Sequence, residues 1–80
     1  MFIEIITPDK KLYSGEAVSA RFPGTDGSFE VLNQHAPMIS SLGKGTITLQ
    51  VGTAKENFPI DSGVVEVLKN KVVVLVESDH

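Results

Sequence analysis

No window of ten or more residues in this chain carries a convincing 3.6-residue apolar period, so an amphipathic helix would have no face to bury. Short alternating segments take its place, parted by Gly, Pro and Asn at intervals of roughly 8–12 residues. Met1 to Thr7 is apolar except for Glu4 and is stopped by Pro8-Asp9. From Glu16 to Phe22 the alternation puts Val18, Ala20 and Phe22 on one face and Ser19 and Arg21 on the other. Pro23-Gly24 is expected to turn the chain and Asp26-Gly27 to turn it again, glycine supplying the positive φ such turns need. Phe29 to Leu32 follows as a short strand. After a Gly43-Lys44-Gly45 turn, Thr46 to Val51 places Ile47, Leu49 and Val51 inside, and Gly52-Thr53 leads back into Ala54 to Ile60. Val64 to Leu68 and Lys71 to Glu77 flank Lys69-Asn70, a hairpin tip in which Asn tolerates the left-handed conformation. His35 to Leu42 has room for a single helical turn, against which Pro37 and Ser40-Ser41 weigh. These readings predict an all-β fold, a small antiparallel β-sandwich or flattened barrel, with residues 1–80 as one domain.

One strand breaks the alternation. Val72 to Val76 is apolar on both faces. Either the domain itself covers both sides, or the outer face, Val73 and Leu75, meets another protein or a further segment.

Composition excludes several chemistries. Without cysteine there is neither a disulfide nor a thiolate metal site, which fits a reducing compartment. The two histidines, His35 and His80, lie too far apart in sequence to suggest a metal cluster. A net charge of −3 and the lack of a basic run argue against nucleic acid as the main ligand. Glu4 and Pro8 interrupt any signal-peptide core, and no stretch approaches the ~20 apolar residues of a membrane helix, so a soluble domain is expected. The polar run Glu77 to His80 fits a natural end slightly better, while a longer chain cut before a helical hairpin would end in the same way.

Catalytic patterns are equally sparse. Ser28 and Ser40-Ser41 flank His35, but no Gly-x-Ser-x-Gly elbow surrounds them, so His35 is expected to make a structural or interface hydrogen bond. Gly24 and Gly27 match no phosphate-cradling pattern. Asp61, Glu66 and Glu77 read as solvated carboxylates at strand ends rather than an acid–base pair. Lys10 invites comparison with lysines that carry lipoyl or biotinyl groups, yet it lies near the N-terminus beside Lys11, and a charged turn after Pro8 is the simpler reading. No cofactor or small-molecule ligand is expected.

The run Pro23 to Pro37 resembles the N-terminal β-sandwich domain of the epsilon subunit of rotary F-type ATP synthases, where a Pro-Gly-x-x-Gly turn leads through a short strand into a His-Ala-Pro corner. Other pieces fall in order: Ile3 to Pro8 and Leu12 to Ala17 look like the family's first two strands, Leu42-Gly43-Lys44-Gly45 like its turn before the middle strand, and Ser62 to Val67 with Asn70 to Leu75 like its closing hairpin. Two departures stand out near the run's centre. Glu30 occupies the place of a usual glycine, and Asn33-Gln34 replaces the common Pro-Gly or Pro-Asn. The chain also stops at His80, short of the family's two-helix hairpin, so the inhibition and ATP sensing associated with that hairpin are not carried over.

The resemblance implies a non-catalytic stalk subunit that docks the gamma subunit onto the membrane rotor ring of c subunits and helps couple ion translocation to ATP synthesis. It implies a gamma interface at His35, Ala36, Pro37 and Met38, with Thr7 added, and a c-ring interface at Thr25, Asp26, Gly27, Ser28 and Glu30. By the same resemblance the protein would sit peripherally at the cytoplasmic face of the bacterial inner membrane. A stand-alone β-sandwich adaptor or carrier domain is the alternative, and it would not bind gamma.

Overall fold

The computed structural model describes residues 1–78, leaving Asp79 and His80 of the polar terminus outside the described residues. Among the described residues nine strands follow one another: β1 (Phe2–Ile6), β2 (Lys11–Glu16), β3 (Ser19–Gly24), β4 (Gly27–Leu32), β5 (Met38–Leu42), β6 (Gly45–Val51), β7 (Ala54–Ile60), β8 (Ser62–Leu68) and β9 (Lys71–Glu77). They hydrogen-bond in the order β2-β1-β9-β8-β5-β3-β6-β7, with β4 on the free side of β3. Between β5 and β3 the sheet almost parts, for only Gly24 and Leu42 pair there. The sheet curls at this seam so that its two halves close on one core, as the sequence pattern predicts for a sandwich or flattened barrel.

A doubled ribbon makes the curl. β5 runs on into β6 through Gly43-Lys44, and β7 runs on into β8 through Asp61. β5 pairs with β8 in one half while β6 pairs with β7 in the other. The bend is tight at Gly45, where an added Cβ would lie 2.6 Å from the Cβ of Pro23. All neighbouring strands are antiparallel except β1 and β9, which pair in parallel from Phe2↔Lys71 to Ile6↔Leu75. That pair departs from the wholly antiparallel expectation.

Ala20, Phe22, Val31, Ile47 and Leu49 are fully buried from one half, and Ile3, Ile5, Val65, Val72 and Val74 from the other. Tyr13 of β2 meets Phe58 of β7 edge-on, ring centroids 5.9 Å apart, where the two outer strands face each other. Burying a Phe or Ile side chain contributes on the order of 1.5–3 kcal/mol, so this cluster dominates a small domain's stability.

Two sequence expectations need correction. Pro23-Gly24 does not turn the chain; both residues belong to β3, and one two-residue turn, Thr25-Asp26, closes the hairpin with Gly24 opposite Gly27. Val18 is not on the inner face with Ala20 and Phe22: it lies in the bend before β3, its N–H bonded to Gln50 O at 2.8 Å, and it is 53% exposed. The segment from Met38 to Leu42, where Ser40-Ser41 and the preceding Pro37 weigh against a helical turn, is a strand whose backbone pairs throughout with β8. The Lys69-Asn70 tip forms as predicted, with φ of 51° and 60° at its two residues.

Candidate functional site

The β3–β4 hairpin gathers the residues expected to face the ring. Its narrow tip depends on glycine twice. Gly27 has φ 127°, and a Cβ on Gly24 would lie 2.6 Å from Gly27 O and 2.9 Å from Phe29 Cε1. Thr25 N–H donates to Ser41 O at 3.1 Å and Gly43 N–H to Pro23 O at 2.8 Å, which ties the tip to the β5–β6 bend. Thr25, Asp26, Gly27 and Ser28 are exposed there, and Glu30 is exposed further along β4, cross-strand from Arg21.

The His35-Ala36-Pro37 corner links β4 to β5. His35 N–H donates to Leu32 O at 3.2 Å, and its Nδ1 lies 2.7 Å from Ala36 O. A carbonyl only accepts, so this contact places the imidazole proton on Nδ1. The ring is thus turned toward its own backbone rather than toward a serine hydroxyl, while Ser40 Oγ donates to Ser41 O. Asn33 Oδ1 accepts from the Met1 amino group at 2.7 Å, and Gln34 N–H donates to Asn70 Oδ1 at 3.0 Å. Met38 is half-buried against the core, and the neighbour that points outward is Ile39, 71% exposed.

Thr7 is not brought beside this corner. Its Oγ1 accepts from the N–H of Lys10 at 3.0 Å and of Asp9 at 3.3 Å, fixing the β1–β2 turn. The register aligns Ile6, Leu75, Val64 and Ser41 in one row across the half-sheet, and Ile3, Val72, Val67 and Met38 in another. Thr7 therefore stands roughly 13 Å along the strands from the Met38 row, at ~3.3 Å per residue. Both belong to the same half-sheet.

Between them lies the surface that the sequence hinted at only in β9. Leu75 is 56% exposed, Val64 43% and Leu68 49%, and with Ile39 they occupy the outward face of β9, β8 and β5. Val73 is half-buried in the row that joins Glu4, Glu66 and Ile39. Of the two readings of Val72 to Val76, coverage of both faces by the described residues is thus ruled out for Leu75. A groove of about 560 Å³, lined by Ile6, Thr7, Pro8, Val64 and Leu75 among others, indents one end of this face. At its β1 side the Glu4 carboxylate bonds Lys11 Nζ at 2.9 Å, with Lys71 Nζ at 3.9 Å. The Lys11 hydrogen bond holds the Glu4 carboxyl below its ordinary value of 4.5, against some opposing desolvation and with the charges of Lys11 and Lys71 assisting. Sequence reading missed Ile39, Val64 and Leu68. The signal was present, since Ile39 alternates with Met38 and Ser40 once β5 is recognised as a strand.

Among the described residues no group of three or more His, Cys, Asp or Glu side chains could hold a metal ion, and no helix is long and apolar enough to cross a membrane. The arrangement is a braced body with an exposed polar tip, a bonded corner and an uncovered apolar face.

Residues 1–79 match the family model of the ATP synthase delta/epsilon chain β-sandwich domain. The chain belongs to that family. Relatives include ATP synthase epsilon chains of Leptospira borgpetersenii, 37% identical over 98% of this chain, and of Sulfurimonas denitrificans, 43% identical over 94%. The match spans 60% of the former and 58% of the latter. The epsilon chain of Chlorobium limicola is 38% identical, and there the match spans 86% of the relative. Among solved structures, the Tetrahymena thermophila mitochondrial ATP synthase central stalk and c-ring contains a chain that superposes with a TM-score of 0.83 at 19% identity, covering 98% of this chain and 63% of that one. A chain of the Euglena gracilis mitochondrial ATP synthase gives 0.89 at 18% identity, covering 95% and 49%. These two establish that the epsilon-family sandwich fold is shared. The sequence-based recognition of the family and of its β-sandwich therefore holds.

Proposed function

We propose that this epsilon-family sandwich is a non-catalytic part of the central stalk of an F-type ATP synthase. In this reading it seats gamma on the rotor ring of c subunits and helps carry torque between ion translocation and ATP synthesis. It would work at the membrane surface, in bacteria on the cytoplasmic face. The observation that supports the reading most is a family match over residues 1–79 on a chain whose outward half-sheet leaves Leu75, Val64, Ile39 and Leu68 uncovered. Fully burying an exposed side chain of this kind contributes on the order of 1.5–3 kcal/mol, and these, 43–71% exposed, would each contribute about half of that to docking.

The proposed gamma surface runs from the His35-Ala36-Pro37 corner, with Met38 beneath it, across the apolar face to Thr7. One face accommodates both ends of that set, although they do not touch each other. The proposed ring surface is the tip Thr25-Asp26-Gly27-Ser28, with Glu30 behind it. Its polar contacts would be exposed and worth about 0–1 kcal/mol apiece, so position matters there more than strength.

The test is titration of the chain against gamma and, separately, against membranes holding the c-ring. His35→Asp combined with Ile39→Asp, the latter on the exposed side of β5, is expected to weaken gamma binding with the β fold retained, and Asp26→Lys to alter ring attachment more than gamma binding. Unchanged gamma affinity in the first variant would remove the corner from the gamma surface. A larger effect of Asp26→Lys on gamma than on the ring would exchange the two surfaces.

A further inference from the structure

We infer that Asn70 is a positioning residue for the His35 corner: its side-chain amide tethers the β4–β5 connection to the β8–β9 turn. The functional consequence rests on the proposed gamma surface, whereas the tether itself does not. Residues 33–37 cross from one half of the sheet to the other outside any strand. Second among them, Gln34 has φ 65°, a left-handed conformation that a residue with a Cβ rarely keeps unless something holds it. Its N–H donates to Asn70 Oδ1 at 3.0 Å, a partner 36 residues away. One residue on, His35 N–H is bonded only locally, to Leu32 O.

The anchor is well fixed. Asn70 has φ 60° as the second residue of a two-residue turn, and the strands on either side are in register at Leu68↔Lys71. Its carbonyl accepts from Phe2 N–H at 3.2 Å, which binds the turn to β1. From the sequence, Asn70 reads as a turn former alone, and glycine would meet that need equally well. The side-chain oxygen has a second use that glycine lacks, and this makes the two roles separable. Asn70→Gly keeps the turn and removes the tether. Asn70→Asp keeps a left-handed-tolerant residue and an acceptor oxygen.

The experiment compares the 80-residue chain with both variants by thermal unfolding, by amide hydrogen exchange at Gln34 and His35, and by gamma affinity. Asn70→Gly is expected to unfold within a few degrees of the parent. Its Gln34 exchange should be about two- to tenfold faster, the range set by one net hydrogen bond, and its gamma binding weaker by a similar factor. Asn70→Asp is expected to restore both. Parental Gln34 exchange in Asn70→Gly, or equal acceleration in Asn70→Asp, would overturn the tether. Faster Gln34 exchange with unchanged gamma affinity would confirm the tether and remove the corner from the gamma surface, so the two failures are told apart.

Discussion

Gly45→Ala tests the bend that brings the two half-sheets together. The new Cβ would lie 2.6 Å from Pro23 Cβ and 3.1 Å from Pro23 Cγ, where carbon atoms ordinarily sit at ~3.5–4.0 Å. Neither contact is the far end of a flexible side chain. Relief requires β3 to shift against β6, and those strands are locked through Ala20↔Leu49 and Arg21↔Thr48. Overpacking of this kind costs about 1–3 kcal/mol. Alanine returns about 0.4–1 kcal/mol by narrowing the unfolded ensemble, and Gly45 has no positive φ to oppose the change. At the middle of these ranges the net loss is about 1.3 kcal/mol, a fall in Tm of about 5–10 °C for a domain of this size. Thermal unfolding followed by far-UV circular dichroism measures it. Pro23→Gly supplies the control, since it removes the atoms that clash; in that background Gly45→Ala should be neutral or mildly stabilising. A parental or higher Tm for Gly45→Ala alone would refute the reasoning, as would an equal loss in both backgrounds.

Two further outcomes bear on the core and on charge. Phe22→Ala removes the largest fully buried side chain and should cost about 3–5 kcal/mol, a large share of the ~4–12 kcal/mol expected for a domain this size. A urea midpoint close to the parent's would displace Phe22 from the centre of the core. For Glu4 the sign follows from its lowered carboxyl value: the contribution is complete above 4.5 and is lost as pH falls through the folded-state value. The stability difference between the parent and Glu4→Gln should accordingly be widest near neutrality, shrink as the medium is acidified below 4.5, and narrow in high salt. A difference that grows on acidification would contradict the Lys11 contact.

Strands whose inner residues are apolar and whose outer residues are polar were legible from sequence: Thr46 to Val51 and the Lys69-Asn70 hairpin fall where alternation and turn chemistry put them. β5 was not, because its inward row contains Ser40 while Ile39 points out, the reverse of the usual pattern. Pairing with β8 decides its conformation, and pairing across the chain leaves no local trace. Pro23-Gly24 misled for a related reason. A Pro-Gly pair signals a turn, yet here Pro23 needs no N–H because it lies at the seam, past the Arg21↔Thr48 pair where β3 leaves β6, and Gly24 is small to admit Phe29. The tip and the corner were visible as motifs. The apolar face joining Thr7 to the corner depends on the order β1-β9-β8-β5, which no sequence period encodes.

The parallel pairing of β1 with β9 also has a consequence for how the protein comes into being. Of the nine described strands, β1 leaves the ribosome first and β9 last. Until β9 arrives, β1 has β2 on one side and a bare edge on the other, with Ile3 and Ile5 lacking the neighbours Val72 and Val74 that complete their row. Closure thus waits on a contact spanning almost the entire sequence, the kind of topology that folds slowly and leaves apolar surface open meanwhile. The nascent chain should be held together first by local hairpins such as β3–β4 and β6–β7. Its most vulnerable moment comes just before the final strand inserts between β1 and β8.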